Sequence, residues 1–149
     1  MSGGYLLDTN VLSATAPNRR TVADAAKDAA RGWIRAHGDQ LWLPVVAIAE
    51  IAAGIGERAG AGATHHAAEL PAWLRRFLSA YPTRILAYGV AEALCSQKLS
   101  LAARRHGIQV SFADMAVAGI AVTHDLVVAT RNTRHFDPMM VPTVNPFLL

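Results

Sequence analysis

The chain has 149 residues and a mass of 15.9 kDa, 52% hydrophobic and 17% charged with a mean hydropathy of +0.24, which excludes a disordered polar tail and supplies a core for one domain. Its formal charge is +3, from 14 Lys+Arg against 11 Asp+Glu, with a pI near 9.5, a tilt too mild to establish a polyanionic partner by itself. The single cysteine, Cys95, excludes a disulfide framework and a Cys-based zinc cluster; no apolar run reaches the roughly 18–20 residues of a membrane helix, and the first residues carry no secretory pattern, so the expected setting is the reducing cytoplasm.

Tyr5-Leu6-Leu7 is a short apolar run ending at Asp8-Thr9-Asn10, residues that favour turns and helix N-caps, so a strand is predicted to feed a helix. Asp24 to Trp33 predicts a helix, with Ala26, Ala30, Trp33 and Ile34 at helical spacing. Leu41-Trp42-Leu43 predicts a second strand stopped by Pro44, followed by a helix over Val45 to Ala53 that Gly54 and Gly56 close. Ala59 to Thr64 reads as a flexible loop, with His65-His66 exposed beside it rather than ligating a metal. Leu70 to Ala80 predicts an amphipathic helix and Arg84 to Ala87 a strand. Val90 to His106 predicts a helix with apolar Val90, Leu94, Leu101 and Ala102 beside basic Lys98, Arg104 and Arg105. Ile108 to Val110 leads into a helix over Ser111 to His124, apolar on nearly every side and therefore central, and Leu126 to Ala129 is the last strand. Strands alternating with helices imply an α/β fold, a mostly parallel sheet covered on both faces, with residues 1–149 as one unit. The basic pairs Arg19-Arg20, Arg75-Arg76 and Arg104-Arg105 read, each alone, as solvated helix faces.

Three carboxylates stand inside apolar segments: Asp8 after the first strand, Glu50 within Val45 to Ile51, and Asp114 within Ser111 to Ala116. An unpaired buried charge is expensive, so each needs a partner. In a parallel sheet the carboxyl ends of the strands form the ligand crevice; Asp8 lies at such an end, Glu50 within two turns of a helix start, and Asp114 in a first helical turn, so all three can converge. Taken singly, Asp8 could cap a helix, Asp114 could complete a Ser111-x-x-Asp114 capping box, and Glu50 could pair with an arginine. Together they form an oxygen-donor cluster of the kind that selects magnesium or manganese. Thr130 to Phe136 follows the last strand and offers hydroxyl and amide groups at another strand end.

The ordered set Leu6-Leu7-Asp8-Thr9-Asn10-Val11-Leu12-Ser13, Ala49-Glu50-Ile51 with Gly54, Asp114, and Ala129-Thr130-Arg131-Asn132 with Arg134 and Phe136 resembles the PIN-domain ribonucleases, specifically VapC-type toxins of type II toxin–antitoxin pairs. The closing Val144-Asn145-Pro146-Phe147 is similar to the FitB-like branch. The resemblance covers nearly the whole chain. It implies a three-layer α/β/α sandwich and an acidic site holding one or two magnesium or manganese ions, with Asp8, Glu50 and Asp114 at the metal positions. Thr130 and Asn132 match the family's more variable polar cluster among the catalytic positions, and Asn10 supports Asp8. His135 departs from the pattern, since many relatives carry an aspartate there.

The activity implied is endonucleolytic cleavage of RNA by metal-activated water, leaving 5′-phosphate and 3′-hydroxyl ends. Lys98, Arg104, Arg105, Arg131 and Arg134 are the candidates for RNA backbone contact. The implied partners are a cognate antitoxin covering the acidic groove and a second copy of the chain, the surface around Trp73, Phe77 and Leu78 being one possible dimer contact, although core packing is the favoured role of each of these residues individually. Operator DNA would be reached only through the antitoxin, and no membrane is involved. Two alternatives stand beside this reading: a catalytically silent RNA-binding or scaffold domain, and an aspartate-nucleophile phosphatase using Asp8. The second commonly needs another aspartate two residues on, where this chain has Asn10.

Overall fold

The computed structural model of the chain describes residues 3–17, 23–62 and 64–149, with the backbone alone for residues 64–67. Arg19 and Arg20, and the side chains of His65 and His66, therefore lie outside the described residues. Strands β1 (Gly4–Leu7), β2 (Leu41–Pro44), β3 (Ile85–Leu86), β4 (Leu126–Ala129) and β5 (Thr143–Val144) form one sheet in the order β3-β2-β1-β4-β5, every neighbouring pair parallel. The helices among the described residues are α1 (Thr9–Ser13), α2 (Ala25–Ala36), α3 (Val45–Gly60), α4 (Thr64–Ala80), α5 (Val90–Arg105), α6 (Phe112–Thr123) and α7 (Thr133–Phe136).

Strand side chains alternate between two apolar layers, as the period of two requires. Leu7, Leu41, Leu43 and Ala129 face one cluster, packed with Val11 and Leu12 of α1, Trp33 and Ile34 of α2, Ile51 of α3, Leu70 and Trp73 of α4, and Phe147. Leu6, Leu126 and Val128 face the other, with Ala103 of α5, Val117, Ile120 and Ala121 of α6, and Phe136 of α7. Both faces of the sheet are thus covered, giving the three-layer α/β/α architecture implied by the alternation of elements. Leu6 and Leu7, adjacent and both fully buried, each contribute about 1.5–3 kcal/mol by leaving water, one to each layer.

Four boundaries and faces differ from the sequence expectations. Gly54 and Gly56 do not close α3, which runs through to Gly60; two glycines weaken a helix by about 1 kcal/mol each, and packing of Ala47 and Ile51 carries it past them. The expected loop therefore shrinks, because α4 begins at Thr64, so His65 and His66 lie on helical backbone, and Pro71 is accommodated inside the helix rather than near its start. In α5 the apolar residues do not form the buried face: Val90 is 78% and Leu94 63% exposed, while Ser96, Ser100 and Ala103 are buried. Small residues belong there because α6 approaches closely, with Ser96 Oγ donating to the Met115 carbonyl at 2.9 Å and Gly119 against the α5 backbone. Finally, Trp73 is buried in the first cluster with Phe77 and Leu78 packed against it, so this group is core and the expected dimer contact around it is not a free apolar surface. The Ser111–His124 segment is as central as its composition suggests: Ala116 to Ala121 are six consecutive buried residues, a helix with a neighbour on every side.

Candidate active site at the carboxyl edge of the sheet

β1 and β4 are paired with Leu7 opposite Ala129, so the next residue of each strand, Asp8 and Thr130, emerge together at the carboxyl edge. The Asp8 N–H donates to the Ala129 carbonyl at 3.0 Å and the Thr130 N–H to the Val144 carbonyl at 2.9 Å, fixing both backbones. From β1 the chain moves to β2 on one side and returns through α5 and α6 to β4 on the other. This reversal of strand order leaves a crevice beyond the strand ends.

Asp8 is only 6% exposed. It is the N-cap of α1, its Oδ1 accepting the Thr9 N–H at 2.8 Å, so the capping role is real but occupies one oxygen. Oδ2 accepts from the Thr130 hydroxyl at 2.8 Å and from Asn10 Nδ2 at 3.1 Å. Thr130, fully buried, also accepts the Asn132 N–H at 3.0 Å and approaches Asn10 Nδ2 at 3.3 Å. Burial pushes the Asp8 carboxyl above its ordinary value of 3.8; the Thr130 and Thr9 hydrogen bonds oppose this, and the charges of Asp114 and Glu50 add to it.

The other two acids reach the same place from different layers. Glu50 lies on α3 and accepts the Thr9 hydroxyl at 2.7 Å. It is exposed rather than buried, because the helical period that buries Ala47 and Ile51 turns Glu50 towards the crevice. Asp114 is in the first turn of α6, where Ser111 Oγ accepts its N–H at 3.1 Å; its carboxylate turns away from the cap, with Oδ2 2.9 Å from His135 Nδ1. Asp8 alone of the three is thus a buried carboxylate. None of the three pairs with a lysine or arginine among the described residues, so the arginine partner considered for Glu50 is not found there.

The backbone of Asn132 is held by Thr130, while its exposed side chain makes no hydrogen bond among the described residues. Arg131 sends its N–H to Asn10 Oδ1 at 2.9 Å and lays its guanidinium 3.9 Å from the centroid of the Phe147 ring. Arg134 is exposed on α7. Lys98, Arg104 and Arg105 are exposed on α5, which runs antiparallel to α6 so that its last turns lie beside the start of α6; no ion pair joins them to the acids. Two contacts were missed in the sequence, Thr9 to Glu50 and His135 to Asp114. The first is signalled only by a hydroxyl next to Asp8, and the second by an imidazole in the short helix that follows β4.

Among the described residues no three His, Cys, Asp or Glu side chains close into a ready-made ion cage. The acids are nevertheless near enough for Asp114 and Glu50 both to raise Asp8. This is an open, oxygen-rich crevice flanked by one imidazole.

A family model described as the PIN domain matches residues 5–138, and the chain belongs to the PIN domain family. It is similar to the plasmid stability protein StbB of Pseudomonas syringae pv. tomato, with 30% identity over 153 residues, covering 95% of this chain and 97% of that protein. Among solved structures it is similar to FitAcB from Neisseria gonorrhoeae, at 25% identity and a TM-score of 0.78, over 97% of this chain and 99% of that one. It also shares its fold with DNA-bound VapBC from Salmonella typhimurium, at 19% identity and a TM-score of 0.74, over 98% and 99% of the two chains. No helix among the described residues is long and apolar enough to cross a membrane.

Proposed function

We propose that this PIN-domain protein is the toxin of a toxin–antitoxin pair and acts as a magnesium- or manganese-dependent endoribonuclease. The observation that carries the reading is Asp8: a carboxylate almost wholly buried, pushed up by burial and by two neighbouring acids, with no lysine or arginine to neutralise it among the described residues. Such a group is missing a cation. A hard ion such as magnesium keeps several waters and takes only one or two carboxylates, so it would not need all three acids to close around it. Asp8, Glu50 and Asp114 would hold one or two such ions per subunit.

When bound, the ion supplies a more acidic water near neutral pH and a counter-charge for the leaving oxygen. The chain's own residues do the rest. Thr130 and Asn10 hold the Asp8 carboxylate from one side, Thr9 steers Glu50, and His135 fixes one oxygen of Asp114, leaving the other free. A water oxygen forms the new bond to phosphorus, the P–O3′ bond breaks, and its electron pair leaves on the 3′-oxygen, which takes a proton. The ends are a 5′-phosphate and a 3′-hydroxyl. The exposed Asn132 side chain flanks the reacting phosphate, the buried Thr130 hydroxyl acts on it only through Asp8, and exposed Arg131, Arg134, Lys98, Arg104 and Arg105 are placed for the RNA backbone.

The similarity to a plasmid stability protein and to FitAcB supports an antitoxin as partner, which would cover the crevice and carry any operator DNA contact. A second copy of the chain is proposed to pack on the α5 stripe of Val90, Leu94 and Leu101, three apolar side chains left exposed on one helical face. The phosphatase alternative is the weaker one: Asn10 spends its amide on Asp8, and both Asp8 oxygens already accept hydrogen bonds. A silent RNA-binding domain has one feature in its favour, the His135 contact to Asp114.

The deciding experiment is incubation of a small-RNA pool with antitoxin-free protein in manganese, magnesium or EDTA, beside Asp8→Asn and Asp114→Asn. Discrete metal-dependent fragments with 5′-phosphates, absent with either variant, are expected. No cleavage by folded protein in any metal overturns the nuclease in favour of the silent domain, and an active, folded Asp8→Asn protein removes the metal site.

A further inference from the structure

The crevice does not end at the acids. Thr9, Asn10 and Glu50 also form the rim of a cavity of about 410 Å³ that opens beside them, a volume within the range of small-ligand pockets. Its floor is apolar and rigid: Ile51, Leu70, Trp73 and Phe147 are all at least nine-tenths buried. Among the described residues its walls carry three cations from three separate elements, Lys27 of α2, Arg58 of α3 and Arg131 after β4, against one carboxylate, that of Glu50. None of the three cations takes part in an ion pair among the described residues.

Arg131 is the best prepared of these. Its backbone is tied to Asn10, its guanidinium rests 3.9 Å from the Phe147 ring centroid, and Phe147 is itself fixed by the Asn145 side chain, which accepts its N–H at 3.0 Å. An arginine held flat on an aromatic ring has lost much of its side-chain freedom before any ligand arrives, and still presents its outer N–H groups. An apolar floor under a ring of cations selects a ligand with a flat apolar body and an attached anion.

We infer that this cavity is a nucleotide subsite, taking one unpaired nucleotide of the RNA next to the phosphate held at the acids, its base against Trp73 and Phe147 and its own phosphate on Arg131 and Lys27. The inference rests on the nuclease reading for its occupant and narrows the substrate to single-stranded segments. A base inside a duplex must be unpaired and unstacked before it can enter the cavity, whereas bases in loops and ends are already free to do so. A basic antitoxin segment is a poor fit to a wall of three cations. An acidic peptide is the competing occupant.

Trp73 provides a reporter independent of catalysis, because it lines the same cavity and its indole N–H, donating to Thr15 Oγ1 at 3.2 Å, gives a separate signal. Nitrogen-15 spectra of the metal-free protein in EDTA, with the Trp73 indole signal assigned through Trp73→Phe, are titrated with uridine 5′-monophosphate, uridine, inorganic phosphate, an unpaired oligouridine, a blunt RNA duplex and an acidic peptide. Uridine 5′-monophosphate and the oligouridine are expected to shift the Trp73 indole saturably, leaving those of Trp33 and Trp42 in place, while inorganic phosphate and the duplex do not. Arg131→Ala should weaken the mononucleotide about tenfold, the loss of one charge-assisted contact, and leave uridine unchanged. Its effect should shrink as salt rises.

A Trp73 signal indifferent to the mononucleotide, an Arg131→Ala protein that binds it as before, or a signal moved by the acidic peptide alone overturns the subsite. Metal-dependent cleavage with an unresponsive Trp73 strikes the subsite only. A responsive Trp73 without cleavage in any metal upholds the subsite and strikes the nuclease.

Discussion

Thr130→Val tests whether the buried hydroxyl is what makes an ionised Asp8 tolerable. Valine has nearly the same shape, so packing is kept while Asp8 Oδ2 loses its 2.8 Å donor and the Asn132 N–H loses its 3.0 Å acceptor. A hydrogen bond to a charged group is worth about 1.5–3 kcal/mol and an orphaned N–H costs about 1–3 kcal/mol. The Asn132 N–H is only partly buried, so the sum belongs near the lower end, about 3 kcal/mol, or about 6–12 °C in Tm for a chain of this size. The pH dependence has a definite sign. Because the folded-state pKa of Asp8 is raised above 3.8, its contribution to stability is fully present below that value and is lost as pH rises through the folded pKa. Removing the Thr130 hydroxyl raises Asp8 further, so the cost of the variant should be largest where the carboxylate is ionised. Urea unfolding in EDTA is expected to show the full deficit at pH 7.5, shrinking to about 2 kcal/mol, a neutral hydrogen bond plus the orphaned Asn132 N–H, as pH approaches 4. Thr130→Ser, which keeps the hydroxyl, should lose only about 1 kcal/mol for the missing methyl. Equal deficits at both pH values, or serine and valine variants of equal stability, would refute the reasoning.

Three other perturbations probe the same framework. Asp8→Asn should flatten the decline in stability between pH 4 and 7.5 in EDTA, and manganese at a hundredfold excess over Kd should stabilise the wild type by about 2.7 kcal/mol while leaving the variant unmoved; parallel responses in differential scanning fluorimetry count against Asp8 as a ligand. Gly119→Ala places a Cβ 2.6 Å from the Glu92 carbonyl oxygen and nearer still to Ser96 Oγ, so overpacking of about 1–3 kcal/mol should outweigh the roughly 1 kcal/mol gained in helix propensity, and an unchanged or higher Tm would contradict the close α5–α6 contact. His135→Ala should weaken manganese binding, read by electron paramagnetic resonance, by about 10–100-fold, with His135→Asn recovering part of the loss; unchanged or tighter binding would mean that His135 does not position Asp114 for the ion.

The fold was legible because its signals are local. Leu6-Leu7 and Leu126 to Ala129 are apolar runs too short for helices, and each is followed by residues that turn the chain, so strand, edge and helix start can be read together. Helix faces were less legible where packing overrides hydrophobicity. In α5 the close contact with Gly119 requires serines and alanine, and leaves Val90 and Leu94 outside, an inversion that periodicity cannot show. The same limit applied to Trp73, Phe77 and Leu78, whose amphipathic spacing cannot distinguish a core from an interface. At the site, strand ends and helix starts place Asp8, Glu50 and Asp114 towards one edge of the sheet, but among the described residues they do not close into a three-acid metal group. The Thr9 and His135 contacts were not legible, since they depend on which rotamers meet across elements 41 and 21 residues apart in sequence.

The donors around Asp8 share one property that bears on how the site works. Thr9 N–H, the Thr130 hydroxyl and the Asn10 amide are neutral groups, and they hold the carboxylate in position without cancelling its charge. An arginine in any of these places would have stabilised the isolated protein more and would have removed the negative potential that the proposed divalent ion needs. Arg131, next in sequence to Thr130, is instead turned onto Phe147, its charge directed at the neighbouring cavity while its backbone braces Asn10. Positive and negative groups are thereby kept apart within one crevice: acids at the strand ends, cations around the adjoining apolar floor. A substrate that brings its own phosphates can engage both regions at once, whereas a single ion or a single phosphate satisfies only one. On the proposed function the buried carboxylate would be an instability of the unliganded protein, seen in the raised pKa of Asp8, that filling the crevice would relieve.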